Sequence, residues 1–319
     1  MTPLLVVAAS ALTLGAGTPL LLRRLRRLER WPTLAAWLWL GSSIGALAAV
    51  ALAGLLLLLP TDPLGAGVAE LLRTCVMALR TALSTPDASS TATLAGMLLV
   101  AIVAGGLLLG GLVAGLRAWR AAGRHQDLLA LAGTPAVGLP GVTVLEHGRP
   151  FAYCLPGQQG PVVLSSAALR RLDAGQLGAV LAHERAHQAG RHHWLVLLTR
   201  VLRVGFPWLP AARLASQAVT MLVELAADDA AARAHGRRQV AAALAALGDA
   251  PVPTAALGAA VGSATERVSR LLTPRRQGGA LALLGGLLLL GVPLAAQLLA
   301  VVLPLARIST QVVRRNLLG

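Results

Sequence analysis

Charge is scarce in this 319-residue chain: 13% of its residues are charged, against about 25% in an ordinary soluble domain, while 56% are hydrophobic and the mean hydropathy is +0.70. So little polar surface excludes a wholly water-exposed globule, and lipid must supply the missing environment. Cysteine is nearly absent as well. Cys75 and Cys154 fall in segments expected on opposite sides of a membrane, which argues against a structural disulfide between them. Acidic residues number 13 against 28 basic ones, for a net charge of +15. An excess of that size can mark a nucleic-acid surface, but the arginines gather at the ends of apolar runs. Arg23, Arg24, Arg26, Arg27 and Arg30 form one such group, and Arg117, Arg120 and Arg124 another. That placement is the habit of membrane-helix flanks, so direct nucleic-acid binding is not expected.

Four stretches, 3–22, 33–59, 94–116 and 279–306, contain no charge and are long enough to cross a bilayer, which takes about 20 helical residues. The arginines follow the first stretch instead of preceding it, so it reads as a retained first helix and not as a signal peptide. The loop 22–32 holds five arginines and one glutamate, whereas 60–93 mixes two arginines with Asp62, Glu70 and Asp87. The positive-inside rule therefore puts the first loop in the cytoplasm and the N-terminus outside. The expected organisation is a mainly α membrane protein of the cell membrane. Residues 1–116 carry three transmembrane helices, 117–278 form a cytoplasmic α+β domain, and 279–319 hold the fourth helix and a short tail.

Within the polar middle, 142–147, 151–155 and 161–165 are short β-branched or aromatic runs between Gly and Pro turns, which predicts a small antiparallel sheet. Beyond Ser166 the pattern is helical. Asp173 and Gln176 form an N-terminal capping pair ahead of a helix predicted over 174–188. That helix carries His183-Glu184-x-x-His187. Positions i and i+4 share a helix face, so both imidazoles can bind one Zn²⁺, with Glu184 beside them as general base. Zinc lowers the pKa of a water it binds towards about 7, within reach of such a base.

Two residues compete for the third protein ligand. His193 completes His-Glu-x-x-His-x-x-Gly-x-x-His around Gly190, but that pattern calls for a methionine turn, and the only later methionine, Met221, lies in the apolar helical run 211–235. Glu224 is a lone carboxylate in the same run, with Asp228 one turn further on. A His183, His187, Glu224 set leaves a fourth position open, and Asp228 would fix the tautomer of a ligating histidine. His192 and His193 then read as a polar step after Gly190. The segment 194–210, broken by Arg200, Arg203 and Pro207, is too short and too charged to span; it reads as a helix against the membrane face or over the site, or as a plain core helix. Arg267 and Arg270 read either as solvated flank charges or as partners of a carboxylate beneath the site helix.

The layout of four apolar helices with His183-Glu184-x-x-His187 between the third and fourth resembles the BlaR/MecR-type antirepressor metallopeptidases in a short form without an external sensor domain. Glu224-x-x-x-Asp228 and the stretch 266–272 add to the likeness. A similar arrangement occurs in HtpX-like membrane proteases, so the broader gluzincin-like class is implied as well. The resemblance implies a zincin-like fold, His183, His187 and Glu224 as zinc ligands, Glu184 as base, Asp228 behind the ligands, and a protein substrate such as a cytoplasmic transcriptional repressor. It also suggests that 161–165 adds an extended substrate segment to the sheet edge. Nothing like a Ser-x-x-Lys acylation motif lies in 60–93, which makes that loop a poor β-lactam receptor. A competing expectation is a non-catalytic membrane receptor or scaffold with a structural zinc; an intact Glu184 argues against it.

Overall fold

The structure, a computed structural model, describes residues 2–58, 77, 88–155, 160–248, 264–273 and 280–318. Four helices are long and apolar enough to cross a membrane: Pro3–Arg24, Pro32–Leu58, Thr91–Ala132 and Ala280–Ala300. Rows of exposed leucines, among them Leu98, Leu108, Leu112, Leu284 and Leu298, cover them as a lipid-facing surface requires. Most of 60–93, where an outer loop is expected, lies outside the described residues.

The first span is α1 (Thr2–Leu12), a π-helical turn (Thr13–Gly17) and α2 (Thr18–Arg24). In the π pattern, residue 19 should donate to the carbonyl of Leu14, but residue 19 is proline. Ser42 Oγ on α3 (Pro32–Leu58) donates to Leu14 instead, at 2.5 Å, so the carbonyl is not stranded in an apolar environment. α4 (Ala88–Ala132) has 45 residues, about 68 Å at 1.5 Å each. It thus runs as one rod past the predicted span end at 116 and delivers the chain directly to the sheet.

That sheet has four strands: β1 (Gly133–Pro135), β2 (Val142–Leu145), β3 (Ala152–Cys154) and β4 (Val162–Ser165), in the order β1-β2-β4-β3. The expected antiparallel sheet is corrected here to a mixed one, because β2 and β4 pair in parallel, Val142 opposite Val162. β4 is buried at every position, as a strand with a neighbour on each side should be. The chain therefore passes over it to β3 and folds back. β1 went unanticipated, since Gly-Thr-Pro carries no strand signal. β4 also offers no edge: β2 takes one side and β3 the other, so the expected substrate pairing along 161–165 is ruled out.

Seven helices follow among the described residues: α5 (Ser166–Arg171), α6 (Ala174–Ala189), α7 (His192–Gly205), α8 (Pro210–His235), α9 (Arg237–Leu247), α10 (Ala264–Leu272) and α11 (Ala280–Leu318), the last beginning with a span-length apolar stretch. α6 starts on the predicted capping box: Asp173 Oδ1 accepts from Gln176 N at 2.8 Å, and Gln176 Oε1 accepts from Asp173 N at 3.1 Å.

The two larger apolar cores among the described residues position the site. One joins the sheet, α6, α9 and α10 through Val162, Leu164, Val180, Val240 and Leu271. The other mixes span residues Leu14, Leu38 and Trp39 with Val196, Phe206, Val219 and Val223 of the segment running from α7 into α8. α7 packs along α4 where both are small: a side chain at Gly205 would run into the Gly106 carbonyl, and one at Gly110 into that of Val201. The helix of 194–210 is thus anchored on a span-length helix, and α8, the helix bearing Glu224, shares a core with the apolar bundle.

Candidate metal centre

α6 brings His183 Nε2 and His187 Nε2 within 3.1 Å, as an i, i+4 pair must lie. α8 packs against α6 and adds Glu224, with Oε2 at 3.5 Å from His183 Nε2 and Oε1 at 3.4 Å from His187 Nε2. All three side chains are largely buried. A tetrahedral ion with bonds near 2.1 Å needs ligand atoms about 3.4 Å apart, so this donor set fits zinc by spacing and by chemistry. The structure brings together the predicted His183, His187 and Glu224, and they form the one such metal-capable group among the described residues. His193 is elsewhere: it lies half-buried against Trp194, ring centroids 5.4 Å apart, outside that group.

Behind the donors stands a charged frame. His183 Nδ1 lies 3.1 Å from Asp228 Oδ1, in close electrostatic contact though too oblique for a straight hydrogen bond. Asp228 is fully buried and receives Arg267 in fork geometry, Nε to Oδ2 at 2.8 Å and Nη2 to Oδ1 at 2.6 Å. Arg267 Nη1 also reaches Glu224 Oε2 at 3.1 Å. Arg270 grips Asp229 with both terminal nitrogens, at 3.0 and 2.8 Å, and donates to the Glu29 carbonyl at 3.1 Å. Arg267 and Arg270 are therefore partners of carboxylates on α8, not solvated flank charges.

These neighbours shape the protonation states. Burial would raise Glu224, but His187, His183 and Arg267 outweigh it and hold the carboxyl down to about 2. Burial works against a charged His183, yet Asp228 and Glu224 push it up to about 10. Burial takes His187 down to about 3 and His192 to about 4, so both rings are neutral at pH 7.

His192 takes a place that its sequence position did not reveal. Read with His193 as a polar step after Gly190, it is buried, with Nδ1 3.0 Å from His187 Nδ1. Arg191 adopts a left-handed conformation, φ 49°, which turns the chain sharply enough to fold α7 back beneath α6. For His187 to offer Nε2 to a metal, its Nδ1 must carry the proton and His192 Nδ1 must accept it. His192→Phe is expected to weaken zinc affinity by about 10- to 100-fold, the usual cost of losing a partner behind a ligand, as read by chelator competition. His192→Asn, which can still accept, should recover most of it.

Glu184 is buried on the same helix, its proton affinity raised by burial and by the nearby Glu224 charge. Cys154, at the end of β3, is a second residue whose surroundings the sequence did not reveal: it is buried close to Glu184, and burial first and the Glu184 carboxylate second push its thiol up, keeping it protonated. Nothing in sequence spacing could pair two residues 30 positions apart.

Residues 118–205 match Peptidase family M48. No curated protein and no solved structure matches the chain. The matched stretch contains the sheet and the His183-Glu184-x-x-His187 helix and ends before Glu224. It supports metallopeptidase chemistry for this region.

Proposed function

We propose that this chain is a membrane-bound zinc endopeptidase that cleaves a protein substrate next to the bilayer, on the side of the arginine-rich loop 22–32. The observation that carries the reading is the convergence of His183, His187 and Glu224 with Glu184 beside them. The match to Peptidase family M48 supports hydrolysis, and the core shared with span-length helices supports a site close to the membrane.

Bound at His183, His187 and Glu224, zinc would supply Lewis acidity and a hydrolytic water at neutral pH. The chain does the rest. Glu184 accepts a proton from the attacking water and hands it to the leaving amine, and its raised proton affinity suits a base working near pH 7. Cys154 holds the Glu184 carboxylate in orientation. β3 is an outer strand of the sheet. Ser165 N donates to the Phe151 carbonyl and Leu155 N to that of Pro161, so in antiparallel alternation 151, 153 and 155 face β4. The main-chain groups of Ala152 and Cys154 then face the other way, towards the side of β3 on which no strand pairs among the described residues, where an extended substrate can add as a strand ending near Glu184.

The resemblance to antirepressors points to a cytoplasmic transcriptional repressor as substrate and a role in signalling. Metal analysis tests the core of this reading. The purified wild type should hold about one zinc per chain and Glu224→Ala should lose it, whereas His193→Ala should keep it. Loss of metal in His193→Ala, or no zinc in the wild type, would overturn the ligand set.

A further inference from the structure

A groove of about 520 Å³ runs between the first span and α11. Leu21, Leu25, Leu288 and Val292 wall it, and Thr13 and Arg24, 11 residues apart on the first span, line it as well. The two helices cannot slide together to close it. Thr18 Oγ1 donates to the Leu289 carbonyl at 3.2 Å and Ser10 Oγ to that of Pro293 at 3.3 Å, which fixes their separation beside the groove. Gly285 contributes to the opening, for a Cβ there would meet nothing within 4 Å.

From Thr13 to Arg24 is 11 residues, about 16 Å along a helix axis. Half the hydrocarbon thickness of a bilayer is about 15 Å. The groove is therefore as deep as one leaflet, apolar along its length, with a guanidinium where the headgroup layer begins. Arg24 is exposed and makes no ion pair with a carboxylate among the described residues, while Arg23 and Arg27 stand exposed close by in the chain. A slot of leaflet depth with a cationic mouth complements a chain with an anionic head.

We propose that this groove binds one anionic phospholipid from the arginine-side leaflet, an acyl chain lying between the first span and α11 and the phosphate on Arg24. The inference rests on the membrane placement of these helices but not on the metal centre or on hydrolysis. A basic pocket between spans is a known kind of headgroup site, and the seated chain would complete the packing that the two helices leave open.

Native mass spectrometry of the full, metal-loaded chain in detergent provides the test, with phosphatidylglycerol and phosphatidylcholine of identical acyl chains titrated in turn. The expected result is one phosphatidylglycerol retained per chain, bound at least about five-fold more tightly than phosphatidylcholine, the gain of one arginine near a headgroup. Arg24→Gln should erase that preference while leaving weak binding. Gly285→Leu places a side chain in open space within the groove, so it should lower retention of both lipids by about ten-fold with the thermal midpoint and zinc content unchanged. Equal retention of the two lipids by the wild type, or wild-type retention in Gly285→Leu, would overturn the proposal. Because neither substituted residue touches the metal centre, a failure here leaves the peptidase reading intact, and loss of zinc or activity elsewhere leaves this one intact.

Discussion

Glu184→Gln will keep its zinc and lose about 10²- to 10⁴-fold in kcat/KM for a protein substrate, the span that positioned general bases contribute. Glutamine preserves the shape of the side chain and can still accept from the Cys154 thiol, so α6 should stay in place. It cannot take a proton from water. Since Glu184 is absent from the group of possible metal ligands, zinc content measured on the same preparation should match the wild type. Unchanged turnover would favour the receptor or scaffold alternative, in which the metal only holds α6 to α8. Lost turnover together with lost zinc would mean that the substitution had damaged the site as a whole.

The largest stability effect is expected at Arg267. This side chain is the counter-ion of two carboxylates, bidentate to the fully buried Asp228 and 3.1 Å from Glu224. Arg267→Met strands both. Removing one partner of a buried pair costs about 3 to 5 kcal/mol, because the remaining charge cannot regain its water. The thermal midpoint in detergent should fall sharply, and α10, which carries Arg267, should lose its main tie to α8. Lysine is not a substitute, having no planar fork to span both Asp228 oxygens. Arg267→Met combined with Asp228→Asn should be less damaged than Arg267→Met alone, since one buried charge leaves with its partner. A small effect in the single variant would show that the metal ligands alone hold the frame. The sign with pH follows: Asp228 and Glu224 are both held below their ordinary range, so the stability they contribute is full above about pH 5 and is lost as pH falls through their folded values.

How much of this was legible beforehand differs by residue. His183, Glu184 and His187 lie within one turn of one helix, and Asp173 with Gln176 announces where that helix begins; a helix's period and its first hydrogen bonds are local properties. The four apolar stretches are legible for the same reason, since length and absence of charge need no partner. Glu224 was visible as a lone carboxylate in an apolar run, and the lack of a methionine turn already favoured it over His193; only the packing of α8 against α6 brings it to the histidines 37 positions away in the chain. The burial of His192 was not legible, because its neighbour His193 is only half-buried and the left-handed turn at Arg191 that sets the start of α7 has no local sequence signal.

The chain's own sequence thus determined that there would be membrane-length helices, a capped His183-Glu184-x-x-His187 helix and an acidic residue in an apolar run, because periodicity, capping and hydropathy act over a few residues. Tertiary structure alone decided the parallel pairing that puts β4 inside and β3 at the edge, the seating of α7 on the glycines of α4, and the enlistment of His192, Cys154 and Arg267 around the site. Those outcomes come from burial and charge pairing between segments tens of residues apart, where each group takes whichever partner the packed chain brings within reach.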